Sequence, residues 1–173
     1  MGSSGTWMEL DELCLAIQRQ TAFKSAKARY FVLKTKTREA LERSRSQGIW
    51  ATRAHVSCVA GDQPHERLAR ARSGGNQNVV LLFAGHCEHA WLGYATLASE
   101  PRYDPLEEEF PHAFDVAWQV LLPNLQGVDF RHVAGDEAHK VFNGDEIEAR
   151  AGQAIRMAMD DKAEALIWAE KHA

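Results

Sequence analysis

The chain has 173 residues, 45% hydrophobic and 25% charged, with three cysteines and a net charge of −4. That is the size of one domain able to bury a core without staples, and it holds no run of about 18 apolar residues that would cross a membrane. Cys14, Cys58 and Cys87 form no C-x-x-C pair, which argues against a disulfide framework or a zinc ribbon and for a reducing compartment, nucleus or cytoplasm. The charge is uneven. Between Lys24 and Arg72 twelve basic residues face four acids, whereas acids gather at Glu107–Glu109 and in the last third. Such asymmetry permits a polyanion on one face, although on charge alone a solvated charged face is the favoured explanation.

In chain order, Leu10, Leu13, Cys14 and Ile17 share a helical stripe, so Met8–Gln18 is predicted as a helix. Ala28–Leu33 is rich in β-formers and predicts a strand. Thr37 as N-cap and Gly48 as terminator bound a helix reaching about Ser46. Ile49–Thr52 predicts a short strand, His55–Pro64 a loop, and Pro64–Arg72 a basic helix that Ser73-Gly74-Gly75-Asn76 breaks. Val79–Phe83 is an unbroken apolar run, expected as a buried strand. Further strands are expected at Trp91–Leu97, Ala113–Leu122 and Val128–Val133, with an acidic loop over Ser99–Pro111. Ile147, Ala151, Ile155, Met159 and Leu166 mark a C-terminal helix from about Asp145. Irregular mixing of strands and helices predicts an α/β fold: a mixed, twisted, barrel-like sheet flanked by helices. One domain is expected over residues 28–173, with residues 1–27 a tail and helix packed on it.

Catalytic signals are thin. His86-Cys87-Glu88 matches the H-x-E half of a zinc deaminase signature, but the P-C-x-x-C half is missing. Cys87 and His89, two apart on a turn, are poor partners for nucleophilic catalysis. Gly74-Gly75 lacks the lysine and spacing of a phosphate loop. The expectation is a binding module, not an enzyme, with no cofactor and no metal.

Four stretches in order carry a specific pattern: ARYFVLKTKTREALERSRSQGIWAT, NVVLLFAGHCEHAWLGYATLAS, HAFDVAW and DEIEARAGQAI. They resemble the YTH domain family, which opens with R-Y/F-F-aliphatic-aliphatic-K-S, a helix of fixed length and G-aliphatic-W-S/A-T. Lys34 and Trp50 stand sixteen apart, as in that pattern. The likeness spans about Ala28 to Met159, and among the family's forms it is nearest the type attached to plant and protist polyadenylation factors.

The resemblance implies a reader of single-stranded RNA carrying N6-methyladenosine, most naturally methylated mRNA, acting as a monomer away from membranes. The methylated base would enter an aromatic cage, because a small neutral methylamino group is best recognised by a dry apolar fit. By position Trp50 matches the first cage residue and Phe110 the last. The middle one, usually tryptophan, falls to Tyr103. Lys34 and Thr35 match a Lys-Ser pair suited to phosphate or sugar. Lys36 and Ala51 match positions that contribute backbone, and Thr52 follows them. Ala40 stands where the family has Asn or Asp reaching the N1 edge of the base. The family's phosphate-binding arginine near Val141–Asp145 is missing, leaving Lys140 or His139 in its place. Arg53, Arg67, Arg70 and Arg72 are further candidate phosphate contacts. The alternative implied by these departures is a degenerate domain binding unmodified RNA or a protein partner.

Overall fold

The computed structural model describes residues 27–55, 58–75, 78–85, 89–129 and 141–173. The predicted helix over Met8–Gln18, the tail it belongs to and the His86-Cys87-Glu88 turn lie outside these residues.

Ala28–Thr35 forms β1, its residues pointing alternately to two faces (period 2). Thr37 then caps α1, Arg38–Gln47. Its backbone is extended, and its Oγ1 accepts the Ala40 N–H at 3.3 Å. Gly48 ends the helix at φ 69°, a left-handed conformation suited to glycine, and donates its N–H to the Ser44 carbonyl at 2.7 Å. The chain turns at once into β2, Ile49–Thr52. Helix α2, Pro64–Ser73, starts on a proline, and the Gln63 N–H donates to the Glu66 carboxylate at 2.8 Å. Strands β3 (Asn78–Gly85), β4 (Ala90–Leu97), β5 (Arg102–Tyr103), β6 (His112–Leu121), β7 (Val128–Asp129) and β8 (Glu146–Ile147) follow, then α3, Ala149–Lys171.

The strands make one eight-stranded sheet in the order β2-β6-β4-β3-β1-β8, with β5 on β6 and β7 on β4. Only the β1–β3 pair among these is parallel, because the chain crosses over through α1, β2 and α2 between them. Two apolar clusters lie on opposite faces. Tyr30, Val32, Leu82 and Tyr94 pack under Ile155, Met159 and Ala163 of α3. Phe31, Leu33, Phe83 and Phe114 pack under Leu41 of α1 and Leu68 and Ala71 of α2. Gly152 permits the first contact: a Cβ there would lie 2.1 Å from the Tyr30 ring.

The sheet is barrel-like but not closed. Its end strands β2 and β8 are not paired with each other. The start of α2 reaches both sides of the opening, through Arg67 on Asp145 at 2.5 Å beside β8 and through the His65 ring on His112 of β6. The predicted strand Val128–Val133 is described only over β7. The predicted loop Ser99–Pro111 holds β5, whose start is fixed by long-range bonds: Arg102 to Asp115 at 3.0 Å, and the Asp115 N–H to Ser99 Oγ at 2.8 Å.

Candidate nucleic-acid interface

Register brings the aromatic candidates to one edge. Trp50 pairs with Phe114 and Thr52 with His112 across β2–β6, and Tyr103 pairs with the same His112 across β5–β6. Directly opposed residues share a face, as do residues two apart. Trp50, Thr52, Phe114, His112 and Tyr103 therefore all point to the side covered by α1 and α2.

Trp50 is half-buried, and its ring meets Phe83 edge-on at 4.9 Å. Phe83 is fully buried and stacks on Trp118 at 4.5 Å. The Trp118 indole N–H donates to Ser44 Oγ of α1 at 3.0 Å. Trp50 is thus held by a buried partner without being sealed into the core. Phe83 was legible only as a member of an apolar strand, and Trp118 as the last residue of the HAFDVAW stretch.

Tyr103 and Phe110 sit at the two ends of a hairpin loop. The Asp104 N–H donates to the Pro111 carbonyl at 2.7 Å and closes its neck. Both rings face solvent, 66% and 42% exposed, and Glu107, Glu108 and Glu109 lie exposed between them. The Arg53 guanidinium, following β2, lies 5.9 Å from the Phe110 centroid and makes no salt bridge among the described residues. The fold brings Tyr103 and Phe110 to Trp50's edge of the sheet, but among the described residues Trp50's ring partner is Phe83. No ring pairing joins it to Tyr103 or Phe110.

Two histidines complete this edge, and the sequence carried no signal for their meeting. His65 of α2 and His112 stack with centroids 3.5 Å apart and planes 4° from parallel, and Tyr103 lies 5.4 Å from His112. Burial pushes both imidazoles below the ordinary histidine value, and His112 adds to the effect on His65; Glu66 pulls both back up. Two polar atoms here are buried without a partner: Thr52 Oγ1 and His65 Nδ1.

The polar candidates divide. Lys34 is half-buried, and burial pushes its ammonium down against the pull of Asp145. Its backbone N–H donates to Asn143 Oδ1 at 2.9 Å. The Thr35 hydroxyl is occupied locally, donating to the Thr37 carbonyl at 3.0 Å. Lys36 is exposed, and Ala40 and Ala51 are half-buried. Arg67 is held by Asp62 at 2.8 Å and Asp145 at 2.5 Å, which raise its already high value further. Arg70 bonds Asp62 and the Gly61 carbonyl, and Arg72 the Leu97 carbonyl at 3.0 Å. These three arginines serve the fold first, whereas Arg53 makes no salt bridge among the described residues. Lys140 and His139 lie outside the described residues, among which no cluster of His, Cys, Asp or Glu is placed to hold a metal.

The family model of the YT521-B-like domain (YTH) matches residues 28–160. A YTH domain-containing family protein 1 of Pyricularia oryzae is 34% identical over 98 residues, 56% of this chain and 14% of that protein. The namesake from Cryphonectria parasitica is 34% identical over 79 residues, 46% of this chain and 13% of its own length. The chain thus spans a small part of these curated relatives. Among solved structures, the YTH domain of the Zygosaccharomyces rouxii MRB1 protein in complex with N6-methyladenosine RNA superposes with a TM-score of 0.59 and 23% identity, covering 77% of this chain and 85% of that one. The Toxoplasma CPSF4-YTH domain in apo form gives 0.63 and 18%, covering 79% and 88%. At these identities the likeness is one of fold.

Proposed function

The chain belongs to the YT521-B-like (YTH) domain family, and from that premise we propose that it binds single-stranded RNA and seats an N6-methyladenine base against Trp50. One observation carries the reading: the β2–β6–β5 register that turns Trp50, Thr52, His112 and Tyr103 to one face beside Phe110 and Arg53. Flat rings at a partly open edge suit an unstacked base. The solved relative bound to N6-methyladenosine RNA supports the same ligand. Burying one methyl contributes about 0.8 kcal/mol, and a tight cage about 1–3 kcal/mol, so discrimination of tens- to hundreds-fold is expected.

The test is a paired titration of one RNA sequence with and without the N6-methyl group. Methyl-dependent affinity supports the reading; equal affinity leaves RNA binding without methyl reading. Lys34 and Arg53 are assigned to phosphate. Affinity then falls with salt by about 0.7 log units per phosphate contact and per log unit of salt. Lys34→Ala weakens both RNAs alike and lowers that slope; a salt-independent affinity sinks the RNA reading.

A second reading has its own observations. Ala40 offers no side-chain donor, and the exposed Glu107–Glu109 run repels phosphate beside Phe110. On this reading the domain takes unmodified RNA or a protein. Ala40 lies in the first turn of α1, its N–H already capped by Thr37. An asparagine there can reach N1 of a seated adenine. An unpaired buried acceptor costs about 1–3 kcal/mol, part of which a bridging water recovers. Ala40→Asn is therefore expected to tighten methylated and unmethylated RNA together. Unchanged or weaker binding in the same titration favours the second reading.

A further inference from the structure

Resting on the RNA reading, we propose that the His65–His112 stack is a self-occupied nucleobase subsite. His65 holds the place on the His112 ring that the base next to the one at Trp50 takes when RNA binds.

The geometry is that of a base stack: two flat rings 3.5 Å apart and 4° from parallel. One ring, His112, is fixed in β6 between Thr52 of β2 and Tyr103 of β5. The other, His65, comes from the second position of α2, where a side chain can swing about its own bonds without moving the sheet. Burial favours the neutral form of both imidazoles, so the pair is a π-surface rather than an anion site. An exposed Tyr103 ring flanks it at 5.4 Å and extends the aromatic floor.

Two unpaired polar atoms offer hydrogen bonds to a ligand on this edge. Thr52 is 2% exposed, and its Oγ1 has no hydrogen-bond partner; His65 Nδ1 has none either. Buried polar groups are nearly always bonded. A nucleobase edge carries both donors and acceptors, so a base replacing His65 over His112 brings Thr52 Oγ1 a partner and returns His65 Nδ1 to water. Thr52 lies two residues along β2 from Trp50, about 7 Å in an extended strand, which places this base beside the one seated at Trp50.

A placeholder and its platform have opposite mutational signs. With a short single-stranded RNA bearing one N6-methyladenosine as probe, His65→Ala removes a competitor and raises affinity about threefold, mainly through faster association. His112→Ala removes the platform and lowers affinity about tenfold, whereas His112→Phe keeps it. Both effects apply equally to the unmethylated twin. Replacing the neighbouring nucleotides one at a time by abasic residues abolishes the His65→Ala gain at one of them. Thermal melts establish that each variant is folded. If His65→Ala and His112→Ala both weaken binding, or His65→Ala leaves it unchanged, the stack is a structural latch between α2 and β6 and the subsite is overturned while RNA reading stands. If the wild-type protein binds neither RNA, both fall together. If His112→Phe proves folded but binds as poorly as His112→Ala, stacking is not the interaction and the subsite is likewise overturned.

Discussion

Trp50→Ala is expected to bring the affinities for methylated and unmethylated RNA together. The Trp50 indole stands at the partly open edge where β2 meets β6, steadied edge-on by Phe83 at 4.9 Å. Truncating a ring that stacks on a base costs about 1–3 kcal/mol, and the dry contact with the methyl is lost with it. Methylated RNA should therefore lose about ten- to a hundred-fold in affinity. Unmethylated RNA should lose less, because the phosphate contacts proposed for Lys34 and Arg53 would remain. Since the indole also covers part of the Phe83 ring, a moderate loss of stability accompanies the change, and the titration is read at temperatures where circular dichroism shows the variant folded. A folded variant that keeps its methyl preference would mean that Trp50 is simply a core residue and that the cage lies elsewhere.

What could be read from residue order follows a physical divide between local and distant determinants. The helix α1 was legible to within a residue because its limits are local. Thr37 supplies its own cap, and Gly48 adopts the left-handed conformation that stops it. Strands β1, β3, β4 and β6 announced themselves through apolar and β-branched runs. Strand β5 did not, because two exposed residues next to prolines have no periodicity, and their pairing is decided by β6. The same divide explains the basic half. Counted along the chain, Arg67 and Arg70 look available to a polyanion; in the fold, Arg67 finds Asp145, 78 residues away, and both find Asp62. Composition records a charge but not its partner. Of the candidate site, Trp50's place on β2 was legible in the Ile49–Thr52 run. The edge it belongs to was not. His65 and His112 meet across 47 residues, and the sheet's failure to close is bridged by α2 in a way that no local pattern encodes.

Phe83→Ala is expected to have the largest effect on stability and to damage RNA recognition beyond it. Phe83 is fully buried in β3 and lies between two tryptophans, stacked on Trp118 at 4.5 Å and met edge-on by Trp50. Removing a buried phenylalanine ring costs about 3–5 kcal/mol through lost transfer energy and the cavity left behind, a large share of the roughly 5–15 kcal/mol that holds a domain folded. The cavity would open directly behind Trp50. Trp118 stays anchored to Ser44 of α1 by its 3.0 Å hydrogen bond and cannot follow freely to fill the gap. Trp50 then loses its backing and gains alternative orientations, so a base proposed to seat there would meet a wall that must first be ordered. Leu82→Ala provides the comparison. Leu82 is equally buried on the same strand but packs on the opposite face under α3, and its truncation costs about 2–5 kcal/mol. With denaturant melts fixing the folded fraction of each variant, Phe83→Ala should lose methyl preference where Leu82→Ala retains it. Equal preference in the two folded variants would show that the Phe83–Trp118 stack supports the core alone and does not position Trp50 for the base.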